Sequence, residues 1–440
     1  MFDVFDEHFW STVIPQASQV YPSVWHAAVA IATLKSLILM KENGKDPIAR
    51  DQETGLYGYA LKQYNRSIQY LINVLSSTAT FADHEMILFT CILLIRYSAL
   101  CGNQAEAVTH IRNGLCLSKV WQPWEDSRGT SKPERFFNCV ATVASIDVQF
   151  RRLEVTALLT PFKLVSSTTH QYESAILSEV PFSSSVDAYL ELLYIDTKWK
   201  GIVRSYASPF GDIKMQFIAD KCQTLRLPFR TWQRKFHDLQ ASMKPVDHTN
   251  EAGRIEAVRR STMRVLELTL EAMTCVDTVS GEIAWDEFSK NFEGITSLCR
   301  HLFEELEASK HWNTGNGKTY LPDSSQFRSL IGLPLVAVGC FSRVPSIRRN
   351  AVEILQTYPF QDGIFDSVFY VEVIVEKMRL EEQGVLLAPL EAGCECIFGK
   401  FICNAHRVCQ FIMSPLRVTL RTGYDVTQDK TGTEFILPAS

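Results

Sequence analysis

The chain has 440 residues, of which 46% are hydrophobic and 21% charged, and its formal net charge at pH 7 is −5. This composition is typical of packed globular proteins and excludes a largely disordered chain. The negative balance gives the whole chain no attraction to phosphate, so DNA contact would need a local basic surface. The N-terminus, Met1 to His8, is acidic where a secretory signal is basic. The longest apolar run, Met86 to Ile95, is too short for a membrane span, so we expect no membrane partner.

Apolar residues recur at helical spacing from the first residues onward. The N-terminal part predicts helices over 9–17 and 23–41, then a loop over 41–54. An apolar stripe at steps of three and four predicts the next helix, through Leu61, Tyr64, Ile68, Leu71 and Leu75. A loop over 76–83 ends in Asp83, a good N-cap, before a helix over 86–100 that is apolar nearly all round and should be central. Gly102 is a stop signal, and a further helix is expected over 104–121.

The second half continues the helical pattern after a change of composition. A loop over 126–133, a helix over 136–153 and a Ser-, Thr- and Pro-rich connection over 160–182 precede it. Helices are predicted over 186–207, 213–225, 230–241, 251–276, 285–307, 326–339, 347–356 and 367–383. The last residues are β-rich, over 396–402, 408–412 and 418–420, which predicts a small hairpin or meander.

The predicted fold class is therefore all-α. Helix pairs of about 35 to 45 residues joined by short turns indicate an irregular helical array resembling an α-solenoid, because no strict repeat is visible. We expect one large helical domain over 1–385 and a partly β-structured C-terminal extension over 386–440.

The cysteines near the C-terminus are the strongest candidates for metal ligands. They are Cys394, Cys396, Cys403 and Cys409, with His406 between the last two. Zinc sites favour C-x2-C pairs, and this chain has none; the gaps here are one, six and five residues. Most of the twelve cysteines lie in apolar runs, as buried thiols of a reducing compartment do. The favoured interpretation is buried thiols or an incidental cluster, with zinc as the lesser alternative, so no metal or cofactor is predicted.

No other motif predicts an active site. The segment 313–319 ends like a P-loop, but Trp312 stands where a glycine is needed, after a helix rather than a strand. Neither G-x-S-x-G nor H-E-x-x-H occurs. His26 and His110 lie on predicted helices as core or capping partners, and the pairs 304–305 and 381–382 are carboxylates of solvated faces. We therefore predict no catalytic or cofactor-binding residue and no enzyme.

Two groups of arginines are the only candidates for a nucleic-acid surface. Their members are Arg254, Arg259, Arg260 and Arg264, and then Arg343, Arg348 and Arg349. Glutamates 251, 256 and 267 surround the first group, which favours ion pairs on a solvated helix. No element that could enter a DNA groove accompanies either group.

Five segments, taken in order, resemble the regulatory half of the fungal binuclear zinc-cluster transcription factors. They are WHAAVAIATL (25–34), ALKQYNRSIQYL (60–71), GNQAEAVTHIRNGL (102–115), PLVAVGCFSRVPSIRR (334–349) and DGIFDS (362–367). The family's late segments have C-R-x-P-x-I-R-R and G-x-W-D-S. Here Phe341 and Ser342 stand before Arg343, and Phe365 replaces the tryptophan. Each segment is weak alone, but the five occur in order, and the match spans roughly residues 8–385. Within these segments we expect Trp25, like Trp121 beyond them, to be a buried anchor.

The resemblance implies an all-helical transcription regulator that acts in the nucleus on a metabolic or secondary-metabolite gene set. The family's six zinc-binding cysteines are missing, since the first cysteine is Cys91 inside a core helix. We therefore expect a zinc-cluster-less regulator, or a truncated gene model of one, that reaches DNA only indirectly. Expected partners are other transcription regulators or coregulators, and a small-molecule effector. The alternatives are a helical scaffold or small-molecule sensor, and then a biosynthetic-cluster enzyme.

Overall fold

The computed structural model describes residues 4–5, 9–42, 50–75, 81–121, 149, 179–206, 215–243, 250–312, 325–362, 365–387, 394–397, 401–414 and 417–436. Within these residues the fold is all-α, with thirteen helices and a small three-stranded antiparallel sheet near the C-terminus. This confirms the predicted fold class. None of the described helices is both long enough and apolar enough to span a membrane.

The N-terminal part consists of five helices. A π-helical turn (Phe9–Val13) leads into α1 (Ile14–Val20), α2 (Pro22–Glu42), α3 (Arg50–Leu75), α4 (Phe81–Leu100) and α5 (Gln104–Trp121). As predicted, α4 is central, with the run from Met86 to Ile95 entirely buried. It begins earlier than expected, so Asp83 lies in its first turn rather than at the N-cap. These helices share one apolar core between residues 9 and 117.

The middle of the chain adds seven helices around a second apolar core. They are α6 (Ser185–Tyr206), α7 (Met215–Ser242), α8 (Glu251–Cys275), α9 (Ser289–Trp312), α10 (Ser325–Phe341), α11 (Pro345–Thr357) and α12 (Ser367–Leu387). A 3₁₀-helical segment (Thr278–Phe288) links α8 to α9, and the two-residue strands β1 (Gln361–Asp362) and β2 (Phe365–Asp366) precede α12.

Several predicted helix boundaries are wrong. The helix α3 begins at Arg50, inside the predicted loop over 41–54. The pattern divides 213–241 into two helices near Pro228, whereas α7 continues through this proline. A proline inside a helix loses one backbone hydrogen bond. Here one buried face runs across it from Leu225 to Phe229, Trp232 and Phe236, and Trp232 Nε1 donates to the Ala188 carbonyl at 2.8 Å. Packing of this aromatic face offsets the local loss.

Two predictions about burial are also wrong. The Trp25 side chain is 53% exposed, because the buried face of α2 consists of Val24, Ala27 and their neighbours one turn apart. On α3, Leu61 and Leu75 of the predicted apolar stripe are exposed. The buried face of α3 is partly polar instead, and Ser67 donates to the Ser23 carbonyl of α2 at 2.8 Å. The side chain of Trp121, and most of the predicted elements between 126 and 182, lie outside the described residues.

The C-terminal segment forms the predicted meander. Strands β3 (Val408–Ser414), β4 (Arg417–Thr422) and β5 (Thr433–Ile436) pair antiparallel in sequence order, with the short helix α13 (Gly423–Thr427) between β4 and β5. Val408, Val418 and Leu420 pack against Val373 of α12. Of the predicted strand over 396–402, the structure describes 396–397 and 401–402, and these residues form one antiparallel bridge, Ile397 to Phe401. The division into domains at 385/386 stays a prediction.

Candidate metal centre

Four side chains with metal-binding atoms converge just before the C-terminal sheet. We call them the Cys3His cluster: Cys394, Cys396, Cys403 and His406. Two short segments supply them. The reciprocal backbone hydrogen bonds between Ile397 and Phe401, both 2.8 Å, turn the chain back so that the residues flanking this bridge approach each other. A 3₁₀ turn (Asn404–His406) then brings the His406 ring beside Cys403, with His406 N–H donating to the Cys403 carbonyl at 3.0 Å.

The four ligand atoms are close enough together to bind a single ion. All four ligand atoms lie within 4.8 Å of one another. His406 Nδ1 lies 3.6 Å from the sulfur of Cys394, 3.4 Å from that of Cys396 and 3.3 Å from that of Cys403. A tetrahedral zinc ion with Zn–S of about 2.3 Å and Zn–N of about 2.0 Å has nitrogen–sulfur edges of about 3.6 Å. The observed spacing therefore fits one ion bound by three sulfurs and one nitrogen.

Backbone N–H groups support the sulfurs. The Cys396 N–H donates to Cys394 Sγ at 3.3 Å, and the Cys403 N–H donates to Cys396 Sγ at 3.1 Å. Burial raises the pKa of the Cys403 thiol, but hydrogen bonds from Glu395, Cys396 and His406 outweigh it and lower this pKa to about 6. Such donors orient sulfur ligands. The Cys396 thiol differs, because burial raises its pKa to about 12.

The residues after the cluster are fastened to the helical body. Arg407 is fully buried, and its guanidinium forms two hydrogen bonds with the Asp286 carboxylate, at 3.0 and 2.6 Å. The Val408 N–H donates to Glu381 of α12 at 2.9 Å. Gly423 donates its N–H to the Arg407 carbonyl at 2.9 Å, and a Cβ added at Gly423 would overlap the Asn404 carbonyl. The turn that carries His406 is thus held from both sides.

Beneath this junction lies a buried ionic group. Glu381 is fully buried and lies 3.1 Å from Arg343 Nε and 2.7 Å from Arg348 Nη1. Arg343 also binds Glu282 at 2.6 Å. Burial raises the pKa of Glu381, but Arg343, Lys377 and Arg348 outweigh it and hold this pKa below its usual value. The sequence interpretation of Glu381 as a solvated carboxylate is wrong, whereas 304 and 305 are exposed as predicted.

Only three of the four candidate cysteines named from the sequence lie together in the structure. It brings together Cys394, Cys396 and Cys403 with His406, but Cys409 lies on β3, where its thiol donates to the Arg421 carbonyl at 3.7 Å. The prediction that no metal is bound stays a prediction, although four convergent ligands are more than incidental thiols. The overlooked signal is C-x2-H at 403–406, which places two ligands on one tight turn.

The histidines and the α8 arginines considered from the sequence make contacts within the fold. The His110 ring lies 2.9 Å from the Tyr64 hydroxyl, and His26 lies 2.6 Å from Gln63, as expected for core partners. The segment 313–319 lies outside the described residues. On α8, Arg260 binds Glu256 at 3.3 Å and Arg264 binds Glu267 at 2.6 Å, which confirms the predicted ion pairs.

No protein-family model, no curated protein and no solved structure matches this chain. The resemblance to fungal regulators therefore rests on the five segments alone.

Proposed function

We propose that this chain is the helical regulatory part of a fungal transcription regulator, that it acts in the nucleus, and that it works through protein contacts. The order of the five resembling segments carries this proposal. They fall on α2, on α3, at the α4–α5 junction, across α10 and α11, and at the start of α12. Residues of these segments occupy packing positions, such as Tyr64 and Ala60 in the N-terminal core.

The state of the basic side chains supports indirect contact with DNA. Arg343 and Arg348, which belong to the fourth segment, are buried in ion pairs with Glu381. Arg349 at the surface binds Glu382 at 2.7 Å. Phosphate binding needs basic groups that can exchange counterions for phosphates. Arginines paired within the fold contribute little to such a surface, so partners such as other regulators or coregulators would supply the DNA contact.

Deletion of the gene, together with chromatin association of the tagged chain, tests this function. We expect the tagged protein in the nucleus, on a limited set of promoters, and altered transcripts of a co-regulated metabolic gene set in the deletion strain. A protein that stays in the cytoplasm and whose deletion changes no transcripts would exclude regulation. That outcome would favour a helical scaffold or a small-molecule sensor instead.

A further inference from the structure

We propose that the Cys3His cluster binds one Zn²⁺ ion and that this ion joins the two short segments that carry its ligands, just before the C-terminal sheet. The ligands would be three thiolate sulfurs and His406 Nδ1. This proposal is independent of the transcriptional function and rests on the geometry of the described residues.

The ligand set selects the metal. Three soft sulfurs and one imidazole nitrogen in a tetrahedral arrangement are typical of structural zinc, whereas magnesium and calcium prefer oxygen ligands. Four protein ligands complete the coordination of the ion, which leaves no open position for water or substrate. The site is therefore structural rather than catalytic. Binding converts the thiols to thiolates, and their protons go to solvent.

The position of the cluster explains what an ion would do there. The bridge of Ile397 and Phe401 and the turn at Asn404–His406 are short, and elements of this size contribute little stability alone. One ion bound to residues on both sides of the bridge would fix both elements at once. The next two residues, Arg407 and Val408, make the buried contacts to Asp286 and Glu381. The ion would thus stabilise the segment that leads into these contacts.

A disulfide is the main competing interpretation of the three sulfurs. Each of the three cysteines is a free thiol in the structure. One disulfide would use two of the three sulfurs and leave the third beside the imidazole. Its sulfurs would also be weaker acceptors than thiolates for the N–H groups that point at Cys394 and Cys396. The shared approach of His406 Nδ1 to all three sulfurs favours an ion at the centre.

Metal content of the full chain, purified under reducing conditions without a histidine tag and without added metal, tests the proposal. We expect about one zinc per chain in the wild type, and a loss of nearly all zinc in Cys396→Ser, because the remaining three ligands bind far more weakly. Cys409→Ser is the matched control. Its serine keeps a donor for the Arg421 carbonyl, and it should keep the full zinc content.

A second measurement on the wild-type chain covers the case in which Cys396→Ser does not fold. Titration of the thiols with an organomercurial should release zinc to a colorimetric chelator in one step. Cobalt bound in place of zinc should give the intense visible absorption of tetrahedral thiolate coordination. A chain without zinc whose three thiols react freely, one with a disulfide among them, or one that contains iron would overturn the proposal.

Discussion

At the scale of single residues, Glu381 has the largest expected effect on stability. Its carboxylate neutralises two buried arginines and accepts the Val408 N–H, so it joins α11, α12 and β3. Removal of one partner from a buried ion pair leaves charge without compensation, which costs more than the pair itself contributes. Glu382, the next residue, makes an ion pair with Arg349 at the surface and provides a matched comparison.

Glu381→Gln should lower the free energy of unfolding by about 3–5 kcal/mol, because Arg343 and Arg348 stay buried beside a neutral amide. Glu382→Gln should cost less than about 1 kcal/mol, since its partner is exposed. Urea titrations of both variants, followed by circular dichroism, measure the difference. Similar small losses in the two variants would contradict the assignment of Glu381 as the central carboxylate.

Lys377 lies beside Glu381 and Arg343 and makes the contribution of this buried ionic group to stability depend on pH. Burial, and then the charge of Arg343, lower the pKa of Lys377 to about 8 in the fold, against 10.5 for an ordinary lysine. Glu381, Glu282 and Cys340 oppose this shift, and the Phe411 ring lies 4.9 Å from the ammonium nitrogen. Burial and the charge of Arg343 outweigh Glu381, Glu282 and Cys340, so the charged lysine is disfavoured in the fold.

Proton linkage gives the direction in which the free energy of unfolding changes with pH. Below about pH 8 both folded and unfolded chains carry the charge, and its burial cost is constant. Between about pH 8 and 10.5 only the unfolded chain is protonated, so stability from this group rises with pH. Lys377→Met should therefore stabilise the protein at pH 7, on the order of 2 kcal/mol, with a gain that shrinks above pH 8. Urea midpoints of both proteins across this range measure the gain, and a gain independent of pH would contradict the account.

At the scale of elements, the turn that carries His406 depends on close packing with α13. Gly423→Ala would place a methyl group on the Asn404 carbonyl, which is backbone and cannot rotate away. We expect this variant to lose zinc to a competing chelator at lower chelator concentration than the wild type, because the turn must shift. Gly58→Ala on α3 is the control, since nothing lies within 4 Å of the added Cβ.

The control variant should keep the zinc affinity of the wild type. It should also gain about 0.5–1 kcal/mol of stability, because alanine is favoured over glycine in a helix. Competition with a chromogenic chelator measures zinc affinity in both variants. Equal zinc affinity of Gly423→Ala and the wild type would show that the turn does not position His406.

The helices could be predicted from sequence because their signal is local. Residues spaced by three and four indicate a helix wherever it packs, and α5 has the predicted bounds. The burial of particular side chains depends on distant partners. Trp25 is exposed because α2 presents another face to the core, and Glu381 is buried because Arg343, 38 positions earlier in the chain, pairs with it. Neither the exposure of Trp25 nor the burial of Glu381 can be inferred from the residues next to it in the sequence.

The metal centre could be predicted from sequence only in part. Two of its ligands, Cys403 and His406, form a local pair that a search for C-x2-H would find. The other two, Cys394 and Cys396, approach only because the backbone bridge of Ile397 and Phe401 reverses the chain. The sequence predicts a strand over 396–402, and one continuous strand would not bring the two pairs together.

At the scale of the whole molecule, the described residues form two apolar cores and a small sheet. The sheet contacts the second core through α12 and through the 3₁₀-helical segment Thr278–Phe288. Fully buried Arg407 and Glu381 lie at this contact, so its stability depends on charges that must be paired. The proposed ion lies just before β3 in the chain and would help to hold Arg407 and Val408 against Asp286 and Glu381.

X-ray absorption at the zinc edge of the purified full-length chain tests this centre most directly. We predict one zinc per chain, coordinated by three sulfurs at about 2.3 Å and one nitrogen at about 2.0 Å. A first shell of oxygen and nitrogen alone, or no zinc in a chain whose cysteines are reduced, would contradict it.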